Sequence, residues 1–226
     1  MAPLTLFPKR RAGSTAVVHL VNSATSPLGG DELELTVRVG PGARLRLSGV
    51  AATIALPGSG GERSSSRVDI EIAEGGELQY LPEPTVITAR ARHFAELRAS
   101  LAADAKLRIR EVLVLGRTGE RPGRLTTSQH VMRAGIPVLR QTLEIGDPEL
   151  DASVAHLAGR RVLATELVIG AEKAEPASGD WWSLTPLADG GTLATALASD
   201  AVEAYAGLRA AADARPADTW SWWPDH

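Results

Sequence analysis

The chain has no cysteine. That absence removes disulfides, thiolate zinc sites, iron–sulfur clusters and thiol catalysis together, and it suits a reducing compartment. Aromatic residues are scarce, at 4% of 226 residues. Positive charge is not in excess either: 24 Lys and Arg stand against 27 Asp and Glu, a formal charge of -3. A basic footprint for nucleic acid or an anionic membrane surface is therefore missing. Apolar runs such as Val112–Leu115 are short, whereas a membrane-spanning helix takes about 20 residues. In the amino-terminal MAPLTLFPKRRAGS the basic residues follow the few apolar ones, the reverse of a secretory signal. The chain reads as soluble and cytoplasmic, without a nucleic-acid or membrane partner.

The usual signatures of catalysis are missing too. There is no GxGxxG turn, no phosphate loop ending in GK and Ser or Thr, no HExxH and no GxSxG elbow. The histidines, His19, His93, His130, His156 and His226, are scattered singly rather than at metal-ligand spacing. His19 and His130 fall in strand-like segments, where a histidine satisfied by its neighbours is the expected role.

What the chain does have is a repeated pattern. Leu33, Leu35, Val37 and Val39 alternate with polar residues, the turn GPGA follows, and Leu45 and Leu47 resume the alternation. Val68, Ile70 and Ile72, the turn EGGE, and Leu78 and Tyr80 write it again. Leu97, Ala99 and Leu101, the turn ADAK, and Leu107 and Ile109 write it a third time. The interval of roughly thirty residues lies in the range of structural repeats. Period-two alternation turns one face of each strand to a core, and a lone two-stranded unit cannot bury that face, so neighbouring units must cover it. The pattern predicts a mostly β chain: a β-helix-like stack of antiparallel β-hairpins with one or two helices near the C-terminus.

Ten strands are expected, at 16–21, 31–39, 44–50, 67–73, 77–81, 95–101, 106–115, 126–133, 137–145 and 161–169. The glycine-rich PGSGGERSSS, 57–66, reads as a surface loop between repeats. After a break of charge, proline and small residues at 172–179, Ser199 and Asp200 offer a cap with Glu203 in the first turn. Val202, Tyr205, Ala206, Leu208 and Arg209 then follow at helical spacing, predicting a helix over 200–212. The expected layout is one domain over 1–226 with a flexible tail from about 213. That tail ends TWSWWPDH, and Trp220, Trp222 and Trp223 are candidate partner-binding anchors or rings that pack back on the body.

Three segments are unusual for a plain scaffold. In SPLGGDEL, 26–33, consecutive glycines force a turn and leave Asp31 at a strand mouth, either bonding its own backbone or serving a function. In LPEPTVIT, 81–88, two prolines flank Glu83 and hold it extended, which presents a carboxylate rigidly or marks a kinked edge strand. In EVLVLGRTGERPG, 111–123, an apolar strand starts at Glu111 and is followed by Arg117, Glu120 and Arg121, residues suited to tying a loop down by ion pairs.

These three segments, in this order, resemble the urease accessory protein UreD family, called UreH in some bacteria. LPEPTVIT is similar to that family's LP-[EQ]-P-T-I segment. EVLVLGRTGERPG is similar to its E-x-x-x-LGR-x-x-GE-x-x-G stretch at Glu111, Leu115, Gly116, Arg117, Gly119, Glu120 and Gly123. GGDELEL and GPGA match less specific elements, and the likeness extends from about Ala16 to Leu208. Two departures are visible: NSATSP stands where the family carries a glycine-rich run, and Ile54 stands near the position of a basic residue.

The resemblance implies a non-catalytic chaperone with a helicoid β fold. It would act in a hetero-oligomeric complex with apo-urease, UreF and the GTPase UreG, passing nickel(II) through an internal tunnel with no tightly bound cofactor. Carboxylate, carbonyl and water oxygens release a divalent ion more readily than thiolates or paired imidazoles do. On that reading Asp31, Glu83 and Glu111 are the candidate nickel-path carboxylates, and Arg117 and Glu120 order the adjoining loop. The alternatives are a degenerate member acting only as an assembly scaffold and a carbohydrate-binding β-helix, which would expose aromatic rings along its strands.

Overall fold

Each of the three repeated units crosses the molecule from one sheet to another. The computed structural model describes residues 4–9, 14–22, 26–170 and 173–216. Its strands in chain order are β1 (Leu4–Lys9), β2 (Thr15–Asn22), β3 (Glu32–Val39), β4 (Arg44–Gly49), β5 (Thr53–Ala55), β6 (Ser64–Ile72), β7 (Glu77–Leu81) and β8 (Thr85–Ile87). They continue with β9 (Arg92–Leu101), β10 (Lys106–Leu115), β11 (Arg124–Arg133) and β12 (Ile136–Ile145). After the short helix α1 (Pro148–Ala152) come β13 (Val162–Ile169), β14 (Ala177–Gly179), β15 (Trp182–Pro186), β16 (Thr192–Ala198) and the helix α2 (Ala201–Asp213).

The first strands of the three units, β3, β6 and β9, pair with one another in parallel, and β11 joins them. The second strands, β4, β7 and β10, likewise pair in parallel in the other sheet. The stacked, mostly β, β-helix-like fold is as expected, but the pairing within a unit is not. The strands flanking each turn sit in facing sheets and form an arch, so each bonds its counterpart in the next unit instead of its chain neighbour. A two-residue turn serves either geometry. Stacking selects the arch because it lines up three equivalent turns, each closed by the same short bond: Ala43 to Gly40, Gly76 to Ala73 and Ala105 to Ala102. The turns also bond one another, Gly42 N–H to the Glu74 carbonyl at 2.9 Å and Gly75 N–H to Asp104 Oδ1 at 2.9 Å.

The alternating residues then meet between the sheets. Val37, Ile70, Leu78, Ala99, Leu107, Val131 and Ile169 belong to one buried cluster. Leu78 and Leu107 are fully enclosed, and burying a side chain of that size contributes about 2 kcal/mol. The larger sheet runs β1-β2-β4-β7-β10-β13-β16-β15-β14, with β5 and β8 attached beside β10, and the smaller runs β12-β11-β9-β6-β3. Stacking in parallel stops at β11, which folds back through Ala134 and Gly135 into the antiparallel strand β12.

Beyond β13 the architecture changes. α2 lies on the outer face of the larger sheet, where Ala204, Leu208 and Ala211 pack against Ala164, Leu184, Ala194 and Ala196. Its start is capped as expected: Asp200 accepts from the Glu203 amide at 2.9 Å, and Glu203 accepts from the Ser199 amide at 2.7 Å. Two expectations need correction. Ser64–Ser66 belong to β6 and not to the glycine-rich loop, and the segment after residue 172 holds three more strands. Among the described residues no helix is long and apolar enough to cross a membrane.

Candidate functional site

The larger sheet is interrupted where the two-proline segment lies. β10 pairs with β7 as far as Ile109 and Tyr80, and with β8 from Leu113 and Thr85 onward. Five steps along one strand cover four along the other, so the connection carries one residue too many for a continuous ladder, as in a β-bulge. Pro82 and Pro84 have no amide hydrogens to leave unpaired across that gap, and the Pro84 carbonyl accepts from the Thr53 amide at 2.9 Å. Glu83 occupies the gap. Gly49 passes so close that a Cβ there would stand 2.6 Å from the Glu83 nitrogen, which accounts for glycine at the end of β4.

Behind the gap lies a cavity of about 170 Å³ between the two sheets, bordered by Tyr80, Glu83, Glu111, Thr127 and Gln129 among others. Glu111 points inward from β10. Its Oε1 accepts from Thr127 Oγ1 and its Oε2 from Gln129 Nε2, both at 3.1 Å. Burial pushes the Glu111 carboxyl above its ordinary pKa, and the two hydrogen bonds pull the other way without cancelling it. Burial, with the Glu111 charge added, also raises the Tyr80 hydroxyl above its usual range. Glu83, by contrast, makes no hydrogen bond or ion pair with any described residue.

The structure thus brings Glu83 and Glu111 to one cavity and leaves Asp31 out of its lining. Asp31 Oδ2 accepts from Ser26 Oγ and from the Leu28 amide, each at 2.8 Å. The Leu28 bond first, then the Ser26 bond, holds its carboxyl below the ordinary carboxylate range. This is an aspartate closing its own turn. Arg117 and Glu120 form a loop clasp: Arg117 Nη2 lies 2.6 Å from Glu120 Oε1, while Glu120 Oε2 accepts from the amides of Arg117 and Ala89 at 3.2 and 3.4 Å. Chiefly through the Arg117 side chain, the Glu120 carboxyl is drawn down to about 2. Arg161 adds bonds to the Gly116 and Arg117 carbonyls at 3.2 and 2.6 Å.

Thr127 and Gln129 escaped the sequence reading. Their signal was present, since β11 places them at inward positions between Leu125 and Val131, where the alternation calls for apolar residues. His93 is enclosed between Ser64 Oγ at 2.9 Å and Ser66 Oγ at 3.0 Å. Burial lowers its pKa to about 4, which leaves it a neutral structural residue near pH 7. Among the described residues no three His, Asp or Glu side chains gather as a metal site. Trp220, Trp222 and Trp223 lie outside the described residues.

A profile of the family described as UreD urease accessory protein matches residues 1–221. The chain belongs to the UreD urease accessory protein family. It is 57% identical over 219 residues to the urease accessory protein UreD 1 of Saccharopolyspora erythraea, covering 95% of this chain and 86% of that one. It is 42% identical to the UreD of a Parafrankia species, covering 89% and 77% of the two chains. The UreD of Streptomyces avermitilis is 40% identical, with 88% and 82% covered. Of the two rings in the repeated units, Tyr80 is buried and Phe94 is half-buried with the Arg63 guanidinium 5.1 Å from its centroid.

Proposed function

We propose that this UreD family member is a non-catalytic chaperone of urease maturation, helping to pass nickel(II) to apo-urease in a complex with UreF and UreG. The observation that carries the reading is the pairing of family membership with an inter-sheet cavity that holds Glu111 at its wall and Glu83 at the break in the sheet. Nickel is here the cargo. Isolated carboxylates supported by hydroxyl and amide groups give a divalent ion oxygen contacts that it can leave, as transfer demands. Among the described residues Glu83 has no hydrogen-bond or ion-pair partner to compete for the ion, whereas Glu111 is already bonded by Thr127 and Gln129 and must exchange those bonds for it. Partner binding falls to the surface, and the clasp of Arg117 with Glu120 keeps the loop after β10 in a fixed shape for it.

The test is co-expression of the urease subunits and the other accessory proteins with and without this chain, scoring nickel content of urease and ammonia release from urea. Nickel loading and activity should both depend on the chain. Complex formation without such dependence would leave an assembly scaffold, and neither complex nor dependence would overturn the proposal.

A further inference from the structure

Among the described residues, β1, β5 and β14 of the larger sheet and β3 and β12 of the smaller have a paired strand on one side only. An open edge offers its backbone groups to another strand, and shortness, proline and bulges are the usual ways of blunting it. β5 and β14 span three residues each, β1 carries Pro8, and β12 carries Pro137 beside a shift of register opposite Val131 and Met132. β3 has none of these devices. It runs for eight residues without proline, glycine or a break in register.

The aim of its backbone groups follows from its one partner. The Asp31 carbonyl accepts from the Ser65 amide at 2.8 Å and the Val39 carbonyl from the Ala73 amide at 3.0 Å, so the odd-numbered residues bond toward β6. Glu32, Glu34, Thr36 and Arg38 therefore turn both N–H and C=O to the open side. Their side chains are exposed on the outer face of the sheet, while Leu33 and Leu35 are half-buried on the inner one.

Charge along this edge is ordered, with two acids first and a base last. A second β3 laid antiparallel, with Leu35 opposite Leu35, sets Glu32 against Arg38 twice and Glu34 against Thr36 twice. These are the residues with outward backbone groups, so each facing pair exchanges both of its bonds, about eight in all. A slide of two residues one way sets Glu34 on Glu34, and the other way carries Glu32 past the end of the facing strand. A parallel copy in register stacks like on like. Arg38 bonds Glu71 at 3.0 Å in a pair that stays exposed, and a guanidinium has donors for a second carboxylate.

We propose that two copies of this chain pair through β3, antiparallel about a two-fold axis at Leu35, joining their smaller sheets into one continuous sheet. The contact closes the unblunted edge and covers Leu33 and Leu35. It is independent of the nickel reading, and its test reads association alone.

The test is sedimentation velocity of the purified full chain from micromolar to near-millimolar concentration, with two charge variants run singly and mixed. The parent should form a dimer. Glu32→Arg and Arg38→Glu each place like charges opposite one another and should raise the dissociation constant about tenfold or more. An equimolar mixture of the two restores both opposite-charge pairs in a heterodimer and should associate as the parent does. Thr36→Pro removes an amide that β6 does not use, so it should keep the parent's circular dichroism and lose the dimer. If Thr36→Pro unfolds, the charge variants decide, since both alter exposed positions. A parent that is monomeric throughout the range would overturn the proposal. So would a dimer that persists unweakened in either charge variant, or a mixture that stays monomeric, which reports another surface or another register.

Discussion

Gln129 on β11 donates to the buried carboxylate of Glu111 on β10 at 3.1 Å, a side-chain bond that joins the two sheets across the interior. Because burial raises the Glu111 pKa, the folded chain holds that proton more tightly than the unfolded chain does. Its contribution to stability is then fullest below the ordinary carboxylate pKa and is lost as pH rises through the raised value. Glu111→Gln removes the titration and keeps an oxygen and an amide for Thr127 and Gln129. Urea denaturation from about pH 4 to about pH 8 should show the variant gaining stability relative to the parent as pH increases. A gap that is constant with pH would mean that Glu111 does not carry the shift.

The Arg108–Glu166–Arg215 cluster tests a buried ion pair. All three side chains are at most 10% exposed, and Glu166 bridges the two guanidinium groups. Glu166→Ala removes the carboxylate that bonds both guanidinium groups, and breaking a buried pair costs about 3–5 kcal/mol. Chemical denaturation should show a loss of that size. A loss below about 1 kcal/mol would place the cluster among weak surface pairs.

Most of the fold was legible because alternation survives wherever both sides of a strand differ. β3, β4, β7, β9 and β10 show it plainly, and the observed bounds fall close to the expected ones. β16 did not show it: TLATALA has apolar or small residues at nearly every position because α2 covers one of its faces and the inter-sheet core the other. The sense of pairing was hidden for another reason. A hairpin and an arch place the same residues inward, and only the stacking of whole units distinguishes them. Glu83 and Glu111 could be chosen from their segments, but the two residues that bond Glu111 are set by sheet-to-sheet contact, which local sequence does not encode.

Asp31 was a candidate for the nickel path, and its geometry makes a different outcome the expected one. Its carboxylate closes a turn by accepting from Ser26 and Leu28. Asp31→Ala should lower stability by about 1–2 kcal/mol, seen as an earlier thermal transition. Urease activation should fall only in proportion to the loss of folded protein, independent of nickel supply. Full stability combined with a defect confined to scarce nickel would return Asp31 to the path.

Glu83→Ala is predicted to separate cargo handling from folding. The carboxylate makes no hydrogen bond or ion pair with a described residue and is only half-buried, so its removal should change stability by no more than about 0.5 kcal/mol. Under the proposed function, urease activation should nonetheless fall severalfold when nickel is limiting and recover when nickel is abundant, with the complex still assembled. Gly116→Val supplies the contrast. Gly116 has φ +78, and a Cβ there would stand 2.8 Å from the Glu120 carbonyl oxygen. Strain and collision together should cost about 2 kcal/mol or more, reducing soluble protein at every nickel concentration. If the two variants fail alike, with the same loss of soluble chain and the same indifference to nickel, Glu83 is part of the scaffold. If Glu83→Ala is soluble and fails only when nickel is scarce, the break in the larger sheet is where the ion meets the chain.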